Sequence, residues 1–235
     1  MSHYKSPRLY VNSPISDNSD IELLPSHVHY LRSVLRLEDG AEVRVFNGQD
    51  GEWLTAFHPI SKKAGSLRSV EKIKTQPEPI KRVHLLFAPI KKQRMDFMIE
   101  KAVELGVTDL HPILTQNTEV RKINVERVQA QIIEAAEQCE RLTLPTLHAL
   151  DNMDKKCAKW DKNTPLLIGL ERHDCPHISE FNTLKEVAFL IGPEGGFTVQ
   201  ERDILLSSEH IKPVNLGKTI LRAETAALYG LVNLG

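Results

Sequence analysis

VAFLIGPEGGFTVQERD, residues 187–203, says more about this chain than any other stretch of it. Val187–Ile191 run apolar without the alternation of a one-sided strand, as a strand buried on both faces does. The run ends in Gly192-Pro193-Glu194-Gly195-Gly196, and Thr198-Val199-Gln200-Glu201 then has the spacing of a capping box that opens a helix. Strand, glycine-rich loop and helix in that order are the repeating unit of a parallel α/β sheet. Glycine lets backbone approach a ligand because no Cβ intervenes. In such sheets ligands bind off the carboxyl ends of the strands, where this loop falls. The same glycines would also serve a tight turn with no ligand. The stretch is neither GxGxxG nor a Walker A motif, so neither a dinucleotide nor a triphosphate is indicated.

The same grammar extends in both directions. VHLLFA (83–88) is a second buried strand, followed by a helix with Met95, Met98, Ala102 and Leu105 on one stripe and Gly106 as its C-cap. LHPIL (110–114), LLIGL (166–170) and PVNLG (213–217) read as further strands. Asn124 caps a helix expected to run to Leu142, with Val128, Ile132, Ala135, Ala136 and Cys139 facing inward. Helices are also expected over 198–209 and 222–233. Residues 7–74 instead read as a mostly β unit: RLYV, AEVRVFNG, EWLTAFH and LRSVEKIK are strand-like, with turns at Asn47-Gly48 and Asp50-Gly51. PSHVHYLRSVLR (25–36) reads as a helix burying Val28, Leu31, Val34 and Leu35. TQPEP (75–79) marks the boundary, giving domains 1–74 and 75–235.

At 235 residues, 41% hydrophobic and 26% charged, the composition excludes collagen-like and disordered classes. No stretch approaches the roughly 20 apolar residues of a membrane helix, and MSHYKSPRLYVN lacks the apolar core of a signal peptide. Three scattered cysteines make no disulfide framework. A cytoplasmic protein is expected. Residues 1–95 carry 15 Lys/Arg against 10 Asp/Glu, and the remainder 15 against 21, so a polyanion would dock on the front part. His173-Asp174-Cys175-Pro176-His177 crowds metal-ligand side chains into one loop without a partner pair, and no metal is expected there.

A second strand–loop–helix, Asn215 to Ala227 (NLGKTILRAETAA), ends the chain. Gly217-Lys218-Thr219 has the tail of a P-loop, but position 212 is Lys where the leading glycine belongs. Arg222 and Glu224, taken alone, would pair with each other or with a neighbour. LIGPEGGFTVQE together with LGKTILRAETAAL resembles the two C-terminal loops of SPOUT-class methyltransferases. More narrowly, the chain resembles the ribosomal RNA small subunit methyltransferase E family, which methylates N3 of a uridine in 16S rRNA. RLYV, HYLRSVLRL, MDFMIEKAVELGV and EAAEQCERLTLP match further family elements in order. Tyr30 stands where a second His is usual, and Glu140 where a small residue is common.

The resemblance implies a trefoil-knotted α/β domain behind a PUA-like β-barrel, acting as a homodimer. S-adenosylmethionine would sit among the loop after LLIGL, the GPEGG loop and the LGKTILR loop. Leu170, Gly192, Glu194, Gly195, Gly196, Gly217 and Ala226 would bind it, with Leu216, Ile220 and Leu221 giving an apolar slot. Uridine N3 must lose a proton before it attacks a methyl group. Arg222 would stabilise the uridine anion, and Glu224 would accept the proton or orient Arg222. Arg8, Arg32 and Arg36 would contact phosphates, His29 or Tyr30 would stack or hydrogen-bond, and Gln138 and Arg141, three apart on one helix face, would reach the base or its phosphate. Lys91, Lys92 and Arg94 mark an exposed helix start that also brushes RNA. The alternatives are the same fold acting on another RNA or position, and a non-catalytic RNA-binding assembly factor.

Overall fold

The computed structural model of the chain describes residues 3–78, 80–170 and 174–235, and it divides into two units: Met1–Glu78 with Ala136–Thr143, and Pro79–Ala135 with Leu144–Gly235. In the first, β1 (Arg8–Tyr10), β2 (Asp20–Glu22), β3 (Glu42–Phe46), β4 (Glu52–Pro59) and β5 (Gly65–Lys74) form one sheet in the order β1-β3-β4-β5-β2. β1 and β3 are parallel and the other pairs antiparallel. Leu9, Val43, Val45, Trp53, Phe57 and Leu67 make its core with Val28 and Leu31. The helix expected over 25–36 is corrected. α1 (Pro25–His29) passes into a π-helical turn at Tyr30–Val34. The wider turn shifts the phase of the apolar positions, so Val34 and Leu35 are exposed. Arg36 follows in the left-handed region, φ 55°.

The second unit is a parallel sheet. Its strands are β6 (Arg82–Phe87), β7 (Asp109–Leu114), β8 (Thr146–Leu147), β9 (Asp151–Asn152), β10 (Leu166–Gly169), β11 (Glu186–Ile191) and β12 (Ile211–Val214). They lie in the order β12-β10-β11-β6-β7-β8, with β9 on the far end of β7. α2 (Lys92–Glu104) and α6 (Ala223–Leu234) lie on one face; α4 (Met153–Ala158) and α5 (Val199–Leu206) lie on the other; α3 (Val125–Gln138) precedes β8. Covering both faces is why Leu85–Phe87 of β6 and Val187–Ile191 of β11 are apolar without a break. Phe189 of β11 meets α6 at Gly230, where a Cβ would overlap the ring, while Ala188 and Leu190 face Phe197 and Leu205. The loop after β10, through which a trefoil thread would be traced, includes residues 171–173, outside the described residues.

Segment 136–143 belongs with the first unit for an electrostatic reason. Glu52 is fully buried, with Arg8 Nε at 2.6 Å, Lys74 Nζ at 3.0 Å and Arg44 Nη1 at 3.6 Å. Arg44 and Lys74 also hold Glu140, at 2.8 and 3.0 Å. Arg8 donates from Nη1 to Ala136 O (2.6 Å) and from Nη2 to Arg141 O (2.8 Å), and its guanidinium lies over the Phe46 ring. Arg8 is therefore removed from the expected phosphate contacts, because its donors are committed to buried acceptors. The helix expected to reach Leu142 ends at Gln138, and Glu140 takes a left-handed φ of 57°. Gln138 and Arg141 thus do not share a helix face, and Cys139, expected inward, is exposed.

Candidate active site

The carboxyl ends of β10, β11 and β12 open into a cleft of about 870 Å³. All ten residues assigned to a cofactor from the sequence line it: Leu170 after β10; Gly192, Glu194, Gly195 and Gly196 after β11; Leu216, Gly217, Ile220 and Leu221 after β12; and Ala226 on α6. Arg222 lines it too, as the residue preceding α6, together with Ile191 and Phe197. The glycines are dictated by close packing. A Cβ on Gly192 would stand 3.0 Å from the Phe197 ring, and one on Gly169 3.1 Å from Leu216. Gly196 and Gly217 have φ of 65° and 110°, a region L side chains rarely adopt. Gly217 donates its N–H to Asn215 Oδ1 at 2.6 Å.

Neighbouring elements brace the GPEGG loop in ways the sequence did not announce. Asn117 Nδ2 donates to Gly195 O (3.0 Å) and Gly196 O (3.1 Å). Thr198 and Glu201 form the expected capping box, and Glu201 Oε1 also accepts from Gln116 N–H at 2.7 Å. Glu224 is buried near the start of α6, and its Oε2 has no hydrogen-bond partner among the described residues. Its neighbouring cation is Arg94 of α2, with Nε 3.8 Å from Oε1, rather than Arg222. Arg94 Nη1 also donates to Glu194 Oε1 at 3.3 Å. The lining is apolar where Leu170, Leu216, Ile220 and Phe197 face it and backbone-rich at the glycines, which suits a nucleoside-like ligand without a phosphate cradle.

In the first unit, His29 and Arg32 line a concavity of about 590 Å³ with Pro25, Ser33, Lys62 and Lys63. The two lysines come from the β4–β5 turn and were not foreseen, since a sequence gives no sign that a hairpin tip meets a helix. Arg36 does not line it. Gln138 is exposed, and the half-buried Arg141 donates from Nε to Thr143 Oγ1 at 3.1 Å. In the loop expected to hold no metal, His173 lies outside the described residues. His177 engages Ser179 Oγ through Nδ1 (2.8 Å) and the Tyr229 hydroxyl through Nε2 (3.0 Å).

A histidine cluster in the second unit escaped the sequence reading. His84 on β6 and Asp109 and His111 on β7 bring donor atoms within 4.8 Å of one another. The hydrogen bonds of Asp109 and His84 are already committed, while His111 Nδ1 is buried with no partner among the described residues. Asp109 pairs with Arg82 through both oxygens (3.0 and 3.1 Å) and accepts from Thr108 Oγ1 (2.9 Å) and His148 Nε2 (2.8 Å). His84 spans His111 Nε2 (3.1 Å) and Glu186 Oε1 (3.0 Å). One tautomer set satisfies both contacts, with His111 Nε2–H donating to His84 Nδ1 and His84 Nε2–H to Glu186. A cation would have to break the His–His bond and displace a donor from Asp109, so the hydrogen bonds of this polar core compete with metal binding. Burial pushes the His111 imidazole down to about 2. Burial opposes ionisation of Asp109, but Arg82 and His148 outweigh it and hold the carboxyl well below its ordinary range. The missed signal was two histidines interrupting apolar strands.

The sequence model of a family described as an RNA methyltransferase domain matches residues 76–234, and one described as an RNA methyltransferase PUA domain matches 26–68. The chain is 36% identical, over 98% of its length and 95% of the relative's, to ribosomal RNA small subunit methyltransferase E of Rickettsia conorii. A Legionella pneumophila protein solved with the bound cofactor SAM superposes with a TM-score of 0.88 at 28% identity, covering 98% of this chain and 97% of that one. Ribosomal RNA small subunit methyltransferase E from Neisseria gonorrhoeae, bound to S-adenosyl methionine, gives 0.87 at 28% identity over 96% and 95%. An α/β RNA methyltransferase domain following a PUA-like unit in the sequence is the shared architecture, and the chain belongs to the ribosomal RNA small subunit methyltransferase E family of RNA methyltransferases.

Proposed function

We propose that this chain transfers a methyl group from S-adenosylmethionine to N3 of a specific uridine in 16S rRNA of the small ribosomal subunit, working as a cytoplasmic homodimer without a metal. The observation that carries the reading is the cleft at the ends of β10, β11 and β12, where every residue assigned to the cofactor converges. S-adenosylmethionine, when bound, supplies an electrophilic methyl group on a sulfonium. The chain's part is to hold, orient and exclude water. Backbone at Gly192, Gly195 and Gly217 accepts a close-packed nucleoside, and Leu216, Ile220 and Leu221 cover its apolar faces. Arg222, at the cleft wall, stabilises negative charge on a uridine that has lost its N3 proton. Glu224, two residues further along with a carboxylate oxygen that has no hydrogen-bond partner among the described residues, is the candidate acceptor of that proton. His29 and Arg32, joined by Lys62 and Lys63, hold the RNA backbone.

The test is transfer of labelled methyl to small-subunit particles and to naked 16S rRNA, with the product nucleoside identified by mass spectrometry. 3-Methyluridine is expected; label in another nucleoside, or none despite cofactor binding, refutes the reading. Arg222→Ala should abolish transfer while calorimetric binding of S-adenosylmethionine persists.

A further inference from the structure

Arg94 joins the GPEGG loop to the start of α6, which no other described cation does. It sits in the first turn of α2, and its one guanidinium reaches Glu194 of the GPEGG loop at 3.3 Å and Glu224 of α6 at 3.8 Å. The two carboxylates differ in surroundings: the Glu194 side chain is 36% exposed and that of Glu224 only 11%. Glu224 has no other cation within 4.0 Å among the described residues, and its Oε2 is buried without a hydrogen bond. Two carboxylates brought to one guanidinium repel each other without it, and a buried one without a counter-charge is costly. The loop's other brace, Asn117, binds only backbone carbonyls and leaves Glu194 unconstrained.

We infer that Arg94 is a positioning residue for methyl transfer: it clamps the cofactor loop through Glu194 and fixes the Glu224 carboxylate through its Nε, so that cofactor binding and the proton-accepting group are set by one side chain. The inference rests on the methyl-transfer reading above. Arg94 is not among the residues lining the cleft and acts through the two glutamates. Removing the partner of an exposed carboxylate costs little, whereas removing the partner of a buried one leaves its charge uncompensated. The Glu194 arm therefore shows in the KM for S-adenosylmethionine and the Glu224 arm in kcat.

The experiment compares the full-length wild type with Arg94→Ala, Arg94→Lys and Glu194→Gln. It measures kcat and KM for S-adenosylmethionine on small-subunit particles, calorimetric Kd for S-adenosylmethionine, and thermal midpoint. Arg94→Ala should raise KM and Kd about three- to fivefold, the scale of one exposed ion pair, and lower kcat about tenfold or more through the unpaired buried carboxylate. Arg94→Lys should recover most of the Kd and only part of kcat, because a single ammonium cannot serve two carboxylates as a guanidinium does. Glu194→Gln should reproduce the rise in Kd with a smaller fall in kcat. Unchanged kinetics in Arg94→Ala overturn the inference. So does an equal loss in the Ala and Lys variants accompanied by a lowered thermal midpoint, which would make Arg94 merely structural. If wild type binds S-adenosylmethionine but transfers no methyl, the methyl-transfer reading fails and the Kd ratios still test the loop clamp. If wild type does not bind it, both fail.

Discussion

Acid should unfold this protein through His111. The imidazole is 3% exposed, stacked on His148 at 3.8 Å and set edge-on to Trp160 at 5.4 Å. Burial pushes its pKa down to about 2, with Lys156, His148 and His84 adding to the effect and Asp109 opposing it. The other charged groups of the cluster, Arg82 and Glu186, contact His84 and Asp109. His84 is also lowered, again mainly by burial. The unfolded chain therefore binds protons that the folded one refuses. Stability from a neutral His111 is complete above the unfolded value near 6.5 and falls as pH drops below it. The slope is about 1.4 kcal/mol per pH unit for each proton withheld. Between pH 6.5 and 4.5, above the range where Asp109 titrates in either state, His111 alone should remove about 2–3 kcal/mol. The assay is urea unfolding at half-unit steps across that window, followed by tryptophan fluorescence, for wild type and His111→Gln. The amide can still donate toward His84 but does not titrate. Its stability should fall less steeply than wild type, by about 1.4 kcal/mol per unit at the acid end. Parallel profiles would refute the idea that His111 is held neutral by burial.

Three further outcomes follow from the packing. Gly230→Ala drives a Cβ into the Phe189 ring and should cost about 1–3 kcal/mol as the helix shifts away, read as a lowered urea midpoint. Arg8→Ala strips the fully buried Glu52 of its nearest cation and should cost about 3–5 kcal/mol, with no change in the salt dependence of RNA binding. Lys62→Ala with Lys63→Ala should weaken RNA binding and reduce the slope of log K against log salt by about 0.7–0.9 for each phosphate that is no longer neutralised; an unaltered slope would mean that the concavity does not meet the backbone.

The parallel sheet and the cleft were legible because buried strands announce themselves as unbroken apolar runs and the loops that follow carry their glycines in sequence. The residues assigned to a cofactor needed only local order, strand then loop then helix, and they line one cleft. What was hidden was long-range. Nothing near Arg8 says that its guanidinium binds carbonyls at 136 and 141, so a buried structural arginine looked like a phosphate contact. Nothing near Arg94 says that it meets Glu194 and Glu224. The π-helical turn at Tyr30–Val34 defeated the 3.6-residue count that put Val34 and Leu35 in the core.

Residues 136–143 complete the first unit although they are made long after the rest of it. During synthesis the β-unit emerges with Glu52, Arg8 and Arg44 in place but without the carbonyls at 136 and 141 and the carboxylate of Glu140 that those arginines bind. The amino-terminal unit cannot reach its final state one domain at a time. It waits until the strands and helices of the following domain that precede this segment have left the ribosome. A fragment cut at the apparent boundary would keep its strands while lacking the strap that closes its charged interior.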